Sequence, residues 1–561
     1  MVYVYARHSH INKHLPKKLS VEEIKDTLIN LGMDLKGESA DKDPELKIEI
    51  TAEKMDMISP VGIARAIAYY RGFVHKLREY KLLKAKEKVI VDKSVEAVRP
   101  KTVAAIIRDA PMNQEFLDEI IALQEKIHDS FGRGRKKAAI GIYPLDEISF
   151  PIIFKAEKPD DIVFRPLESE KEMSGYDILV EHDTGKKYAH LLAGKDIFPV
   201  FRDAKGKVLS MPPIINSHDT GRVDMQHKDL FIEVSGHNIT HLDNILRVLV
   251  STLIELGAQA EKVKVEYPKT TYELSLENST ETLSLNYVNK LIGTNIQPDE
   301  VEAYLNKVQF SLKESKGDKL TVEIPCYRSD IWHDCDIADD IARAYGYNNI
   351  VPTFPQIGSV ASLLPSTSFR DSFSEMLVNL GFLETYTYML TSTKEQFSSM
   401  LREEKEEEYI RLLDSEDQGL NMLRTMILPE CLRALHINRK NKYPQKIFEN
   451  GFVILPDKSA DTGASNEGRV CVCIAGPDAN FTQIKGILDT LLKLQEVEAR
   501  TLASSSSYFI EGRQASIIFK DSLIGEIGEV HPQVLDNFGM LVPVAALELN
   551  LDTLYKLLER K

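Results

Sequence analysis

Five aspartates, Asp330, Asp334, Asp336, Asp339 and Asp340, fall within the eleven positions from 330 to 340. Carboxylates at this density do one of two things. They can serve a helix: Asp336 can cap a first turn, Asp339 stands three positions on as in a capping box, and acids near a helix N-terminus are favoured by its dipole. They can instead share a hard cation, because carboxylate oxygens completed by water are what Mg2+ takes. On that reading Asp330 reaches in from a preceding strand, while Asp336, Asp339 and Asp340 reach from the helix. The two readings coexist, since a cap uses one oxygen and leaves another.

A second polar set lies earlier. The segments VLSMPPIINSHDTG and KDLFIEVSGHN read as two strands that bring Asn216, Ser217, Glu233 and Ser235 near one another. Alone these four carry little, because Ser and Asn at turns commonly bond their own backbone. Upstream, GRGRKKAAIGIYPLD sets Arg133, Arg135, Lys136 and Lys137 directly before a strand from Ala138 to Tyr143. Its GxG lacks the further glycine and flanking elements that dinucleotide binding needs, so it reads as a basic hairpin loop, with contact to a phosphate backbone as the alternative.

The elements that must hold these groups follow from periodicity. Ser20-x-x-Glu23 opens a helix carrying Ile24, Leu28 and Leu31; Leu46, Ile48 and Ile50 alternate as a strand; Ser59-Pro60 starts a second helix with Arg65 and Arg71 on its exposed side. The polar start with His8, His10 and His14 reads as a solvated segment rather than a metal site, and the lysine-rich stretch from His75 to Lys93 as a connector. A helix from Asp243 to Gly257 and a strand from Val263 to Tyr267 end the second domain. Helices at Leu285 to Ile292 and Pro298 to Val308 precede the acidic helix, expected from Asp336 to Tyr345. In the last two hundred residues, Phe369, Phe373, Met376, Leu377 and Leu380 form an apolar stripe. The boundaries read as residues 1–85, 95–268, 270–353 and 356–561.

Composition narrows the class. A chain of 561 residues with 43% apolar content can bury several cores. A formal charge of −15 argues against clinging to nucleic acid through overall charge, leaving local basic patches or another chain for any RNA contact. Five cysteines without a CxxC pair are expected as reduced thiols, with Cys471 and Cys473 on one face of a strand. No long apolar run or signal core stands in the sequence, so a cytoplasmic protein with no membrane association is expected. Neither a P-loop nor HIGH and KMSKS signatures occur.

Tyr-Arg-Ser-Asp, followed by Asp-Ile-x-x-Asp-Ile-Ala-x-Ala-Tyr-Gly-Tyr-Asn-Asn-Ile, resembles the phenylalanyl-tRNA synthetase beta subunit. GRGRKKAAIGIYPLD, FRPLE, PPIIN and LFIEVSG resemble its editing domain of the archaeal and eukaryotic type, Ile447, Phe448, Glu449 and Gly451 fit its version of the class II core, and IGEIGEVHPQVLDNFGMLVPVAALELNLDTL resembles its terminal region. The resemblance implies a mixed α/β, α+β multi-domain chain: a small N-terminal domain, an editing domain, a small helical winged-helix-like domain, and a class II synthetase-like core with an antiparallel sheet. That core lacks the arginine and glutamate that clamp ATP, so the resemblance makes it catalytically inactive. It further implies Mg2+ on Asp330, Asp336, Asp339 and Asp340, although the family commonly has Glu at one or both of the last two. ATP and aminoacylation belong to an alpha subunit in an assembly of two alpha and two beta chains acting on tRNA(Phe). Tyrosine wrongly attached to that tRNA would be hydrolysed here, with Asn216 and Glu233 foremost and Ser217 and Ser235 beside them. A stand-alone hydrolase of mischarged tRNA and a non-catalytic tRNA-binding scaffold are the alternatives. The large silent core discriminates against the first of these, since a free-standing editor would have little need of it.

Overall fold

The computed structural model describes residues 2–355, 357–413, 415 and 419–559; the expected outer bounds of the last domain, 356 and 561, lie outside these. Contacts divide the chain into two compact units, Met1–Phe354 and Pro355–Lys561.

The first unit begins with a strand that the sequence reading missed. Val2–Arg7 alternates Val4 and Ala6 inward with Tyr3 and Tyr5 outward, and pairs antiparallel with Glu45–Ile50. His8 to Lys13 then forms a short helix, so the N-terminus is structured and not a solvated tail. The helix Val21–Asn30 carries the expected capping box between Ser20 and Glu23, and Ser59 caps the helix Pro60–Tyr70 by accepting from Gly62 N. Arg65 on that helix is a correction: it is buried, because acids from two other segments meet it.

Two sheets follow. One runs, by strand neighbour, Leu82–Leu83, Gln259–Lys262, Lys101–Arg108, Leu230–Gly236 and Ala138–Pro144. The helices Gln114–Asp129 and Ile239–Glu255 cover one face with Phe116, Ile120, Leu123, Leu246 and Leu249. The other sheet has seven strands, among them Lys88–Val91, Ile152–Glu157, Phe198–Arg202, Val208–Met211 and the short Ile215–Asn216. The lysine-rich stretch is therefore no plain connector: Leu82–Leu83 and Lys88–Val91 both pair as strands, the second through its alternating buried Val89 and Val91. A three-stranded sheet of Ser279–Ser284, Lys319–Ile324 and Ser311–Lys316 then packs under Leu285–Ile292, Val301–Lys307 and Asp334–Tyr345.

The second unit is built on a seven-stranded sheet, antiparallel except where Leu383–Glu384 runs parallel to Gln445–Pro456. Its strand Ala464–Ala475 has the period of two that a doubly covered sheet requires. Val470, Val472 and Ile474 enter a core with Phe373, Leu377, Ile484 and Leu488; Cys471, Cys473 and Ala475 enter another with Leu428, Leu432 and Leu435. The stripe Phe369 to Leu380 is thus mainly core packing, on the helix Pro365–Asn379. Leu383–Glu384 forms the edge strand of this sheet, and beyond it Tyr386 and Tyr388 stand 87% and 79% exposed. All five cysteines are free thiols. Among the described residues no helix is long and apolar enough to cross a membrane.

Candidate functional site

Asn216 and Glu233 meet in one cleft of about 670 Å³ in the first unit. The strand Leu230–Gly236 is paired on both sides in its sheet and fully buried, which puts Glu233 between Ala104 and Gly141 of its neighbours. Gly141 is what makes room: a Cβ there would lie 2.1 Å from the Tyr143 hydroxyl and 2.5 Å from Glu233 Oε1. Tyr143 Oη lies 3.2 Å from Glu233 Oε1 and 2.7 Å from Ser210 Oγ. Oε2 of Glu233 has no hydrogen-bond partner. Burial pushes the Glu233 carboxyl up to about 8, with the nearby Arg99 charge opposing that rise. At neutral pH it is a protonated acid that can donate one hydrogen bond.

The remainder of the cleft is apolar around a few polar groups, as small-molecule sites are. Leu117, Ile120, Ile140, Ile142, Pro213 and Ile215 supply walls suited to an aromatic side chain. At one side His128 is held neutral: burial lowers it, Ile140 N donates to its Nε2 at 2.8 Å, and its Nδ1 donates to Glu125 at 3.0 Å. That bond, with Arg135, holds Glu125 down to about 2. Arg135 also donates to the Ile214 carbonyl at 2.9 Å and lies over the Tyr188 ring.

Of the four expected editing residues, two line the cleft and two do not. Ser217 is buried, its amide bonded to Leu209 O. Ser235 is turned to the buried Arg99, which donates to its Oγ at 3.1 Å and its carbonyl at 2.6 Å. Strand alternation accounts for this: positions 233 and 235 share a face, but 235 lies one pair nearer the sheet's end. Sequence reasoning missed Gly141, Tyr143 and His128 and read Arg135 only as part of a basic loop; the Glu125–His128 spacing on a helix was the one signal available for that pair.

The raised Glu233 has a stability consequence. Unfolded, a glutamate releases its proton near pH 4.5, whereas folded Glu233 keeps it until about 8. The native state therefore binds more protons across that window, and its stability falls as pH rises through it. Glu233→Gln is expected to reduce that slope by on the order of 1 kcal/mol per pH unit. Glu119, raised by burial to about 7, slopes the same way and keeps a residual dependence. Urea titrations at pH 5 to 8 measure it; an unaltered slope in the variant contradicts the assignment.

The acidic stretch has a different geometry from the one expected. The helix spans Asp334–Tyr345, two residues earlier than the periodicity indicates, so Asp336 stands at its third position and not at its cap. Its Oδ2 accepts from the amides of Trp332 and His333 at 2.8 Å each. Asp339 is exposed, bonded to Tyr347 at 2.9 Å and Arg343 at 2.8 Å. Asp330 and Asp340 are buried with Lys54 and Arg328: Lys54 Nζ reaches them at 2.8 and 3.2 Å, and Arg328 donates to both. Burial alone would raise Asp330; Arg328 and Lys54 outweigh it and hold the carboxyl well below the usual range. Among the described residues the only three-ligand group close enough to hold an ion is Cys431, Cys471 and Cys473, packed in an apolar core. Of the residues of the expected Mg2+ site, Asp330 and Asp340 thus take their positive charge from an ammonium and a guanidinium, while Asp336 and Asp339 bond to other partners.

In the second unit, the arginine that meets Glu449 of the strand Gln445–Pro456 is consumed internally. Arg424 is 2% exposed, pairs with the fully buried Glu449 at 2.6 Å, and donates to Phe452 O at 2.8 Å and Thr387 Oγ1 at 2.9 Å.

Comparison with known proteins bears on both units. Residues 281–347 match the tRNA synthetase B5 domain, and residues 350–551 match the phenylalanyl tRNA synthetase beta chain CLM domain. These define an aminoacyl-tRNA synthetase chain. The phenylalanine–tRNA ligase beta subunit of Pyrococcus furiosus is 34% identical, covering 98% of this chain and 99% of that one; that of Thermococcus sibiricus is 35% identical, covering 89% of each. The crystal structure of an N-terminal fragment of the Pyrococcus horikoshii beta subunit aligns with a TM-score of 0.59 at 32% identity, covering 61% of this chain and 99% of the fragment. The chain belongs to the phenylalanine–tRNA ligase beta-subunit family.

Proposed function

We infer that the chain proofreads for phenylalanine–tRNA ligase: its cleft hydrolyses tyrosine from tRNA(Phe), and a companion alpha chain performs ATP-dependent charging in an assembly of two alpha and two beta chains. One observation carries the editing reading. A protonated Glu233 with a free oxygen sits in an apolar cleft beside Asn216. A pocket built for phenylalanine rejects an added hydroxyl only modestly, so discrimination calls for a second site that binds that hydroxyl. The Glu233 carboxyl can donate to the phenol oxygen and the Asn216 amide can complete its hydrogen bonds; phenylalanine would leave both unpaired, which costs binding.

Hydrolysis needs a positioned water rather than a protein nucleophile, since no serine or cysteine with an adjacent base lines the cleft among the described residues. Arg424, locked to Glu449, is unavailable to clamp a nucleotide, and this supports assigning ATP and its Mg2+ to the companion. The exposed Tyr386 and Tyr388 beside the edge strand Leu383–Glu384 support a protein partner for the second unit and weigh against a stand-alone hydrolase. The cytoplasm is the compartment that charging and proofreading of tRNA imply.

The test is hydrolysis of preformed tyrosyl-tRNA(Phe) by the assembled ligase. Asn216→Ala and Glu233→Ala are each expected to slow it at least tenfold while phenylalanine charging is kept. Unchanged hydrolysis in both refutes the site.

A further inference from the structure

A second cleft, of about 660 Å³, lies on the other side of the loop that borders the editing cleft. It is lined by Tyr3 and Tyr5 of the first strand, by Lys126, Arg133, Lys137 and His241, and by a single acid, Asp129. Tyr5 is 51% exposed. Lys47 stands 4.4 Å from the Tyr3 ring centroid and 5.9 Å from that of Tyr5, and Lys126 stands 5.6 Å from the Tyr5 ring. Among the described residues neither Lys126, Arg133 nor Lys137 has a carboxylate within ion-pair distance. In a chain of net charge −15 this is a local reversal of sign.

The loop itself joins the two clefts. Arg133, Gly134 and Arg135 are successive residues with positive φ, at 48°, 58° and 66°, and the space around a Gly134 side chain is open. This tight left-handed turn sends Arg135 into the editing cleft and leaves Arg133 and Lys137 on the second one. Paired rings flanked by unneutralised cations are how proteins take single-stranded nucleic acid: bases stack on the aromatics and the backbone lies against Lys and Arg. An acidic peptide would use the cations and leave the rings idle.

We propose that this cleft binds the unpaired 3′ segment of tRNA, one base stacking on Tyr5 while the phosphates pass Arg133 and Lys137 towards the editing cleft. The proposal rests on the editing reading for its direction of travel, and its test does not depend on hydrolysis. The probe is a fluorescent single-stranded RNA hexamer ending in CCA, titrated into the assembled ligase by anisotropy.

Tyr5→Ala is expected to weaken binding about tenfold, Tyr5→Phe to restore it, and abasic substitution of the RNA to mimic the alanine variant. Arg133→Ser with Lys137→Ser should reduce the slope of log affinity against log salt by about 1.4, the loss of two single-strand phosphate contacts. With tyrosyl-tRNA(Phe) these variants should raise KM and leave kcat. Hexamer affinity unchanged in every variant overturns the proposal, whatever the hydrolysis assay gives. Binding that follows the cations but ignores Tyr5 and the bases overturns it in favour of an acidic protein segment. Hexamer binding that fails as expected in the variants, from an enzyme that never hydrolyses tyrosyl-tRNA, supports this cleft and removes the editing reading alone.

Discussion

Arg328→Met is expected to destabilise the first unit by about 3–5 kcal/mol, the cost of removing one partner from a buried ionic cluster. Arg328 donates to both Asp330 and Asp340, and all three are shielded from solvent. The cluster extends further. Arg65 pairs with Glu255 at 3.0 Å and Asp56 at 3.5 Å, and stacks 3.8 Å from the Tyr327 ring. Lys54, Arg65 and Arg328 thus face Asp56, Glu255, Asp330 and Asp340, and burial raises the Asp56 carboxyl while Arg65 and Arg328 oppose that rise. Losing one cation leaves two buried carboxylates competing for Lys54. If those acids can accept a hard cation at all, millimolar Mg2+ should return part of the lost stability in the variant and add little to the wild type. Equilibrium urea unfolding with and without Mg2+ reads both effects. A loss under 1 kcal/mol would show that the cluster does not hold the segments together. The depressed Asp330 and Asp340 also give stability that is full above about pH 4 and lost as pH falls below it.

The second large effect is expected from a single methyl group. Gly141→Ala puts a Cβ within 2.1 Å of Tyr143 Oη and 2.5 Å of Glu233 Oε1, contacts that no real side chain tolerates. The strand backbone is fixed by ladders on one side of a packed sheet, so Glu233 and Tyr143 must move. Displacement of about 1 Å at a positioning group costs on the order of a hundredfold in rate. Hydrolysis of tyrosyl-tRNA(Phe) should fall by about that factor, with charging of phenylalanine unchanged. Equal loss of both activities would mean a folding defect; the circular dichroism spectrum and urea midpoint separate the two cases.

Much of the architecture was legible because it rests on local rules. Ser20 with Glu23, Ser59 with Pro60 and the exact span Leu285–Ile292 are cap and turn signals that act within a few residues. The strand Val2–Arg7 was as plainly alternating, but neighbouring histidines and lysines drew the reading towards solvent. Arg65 and Lys54 could not be read at all, since what buries them comes from residues about 190 and 280 positions away. The same holds for the acids. Spacing brings five aspartates together in sequence, whereas the fold parts them: Asp336 works for the helix start, Asp334 and Asp339 face solvent, and Asp330 and Asp340 are neutralised by the distant Lys54 and by Arg328. In the cleft, Asn216 and Glu233 were reached through resemblance, and Gly141 escaped because its role is an absence of atoms opposite a side chain on another strand.

The central claim is that a synthetase-shaped second unit has no nucleotide chemistry of its own and serves a companion. Phenylalanine-dependent exchange of pyrophosphate into ATP tests it most directly, measured on the full chain alone and again with an alpha subunit. The expected result is no exchange from the chain alone and full exchange on adding the partner. Exchange by the solitary chain would contradict it.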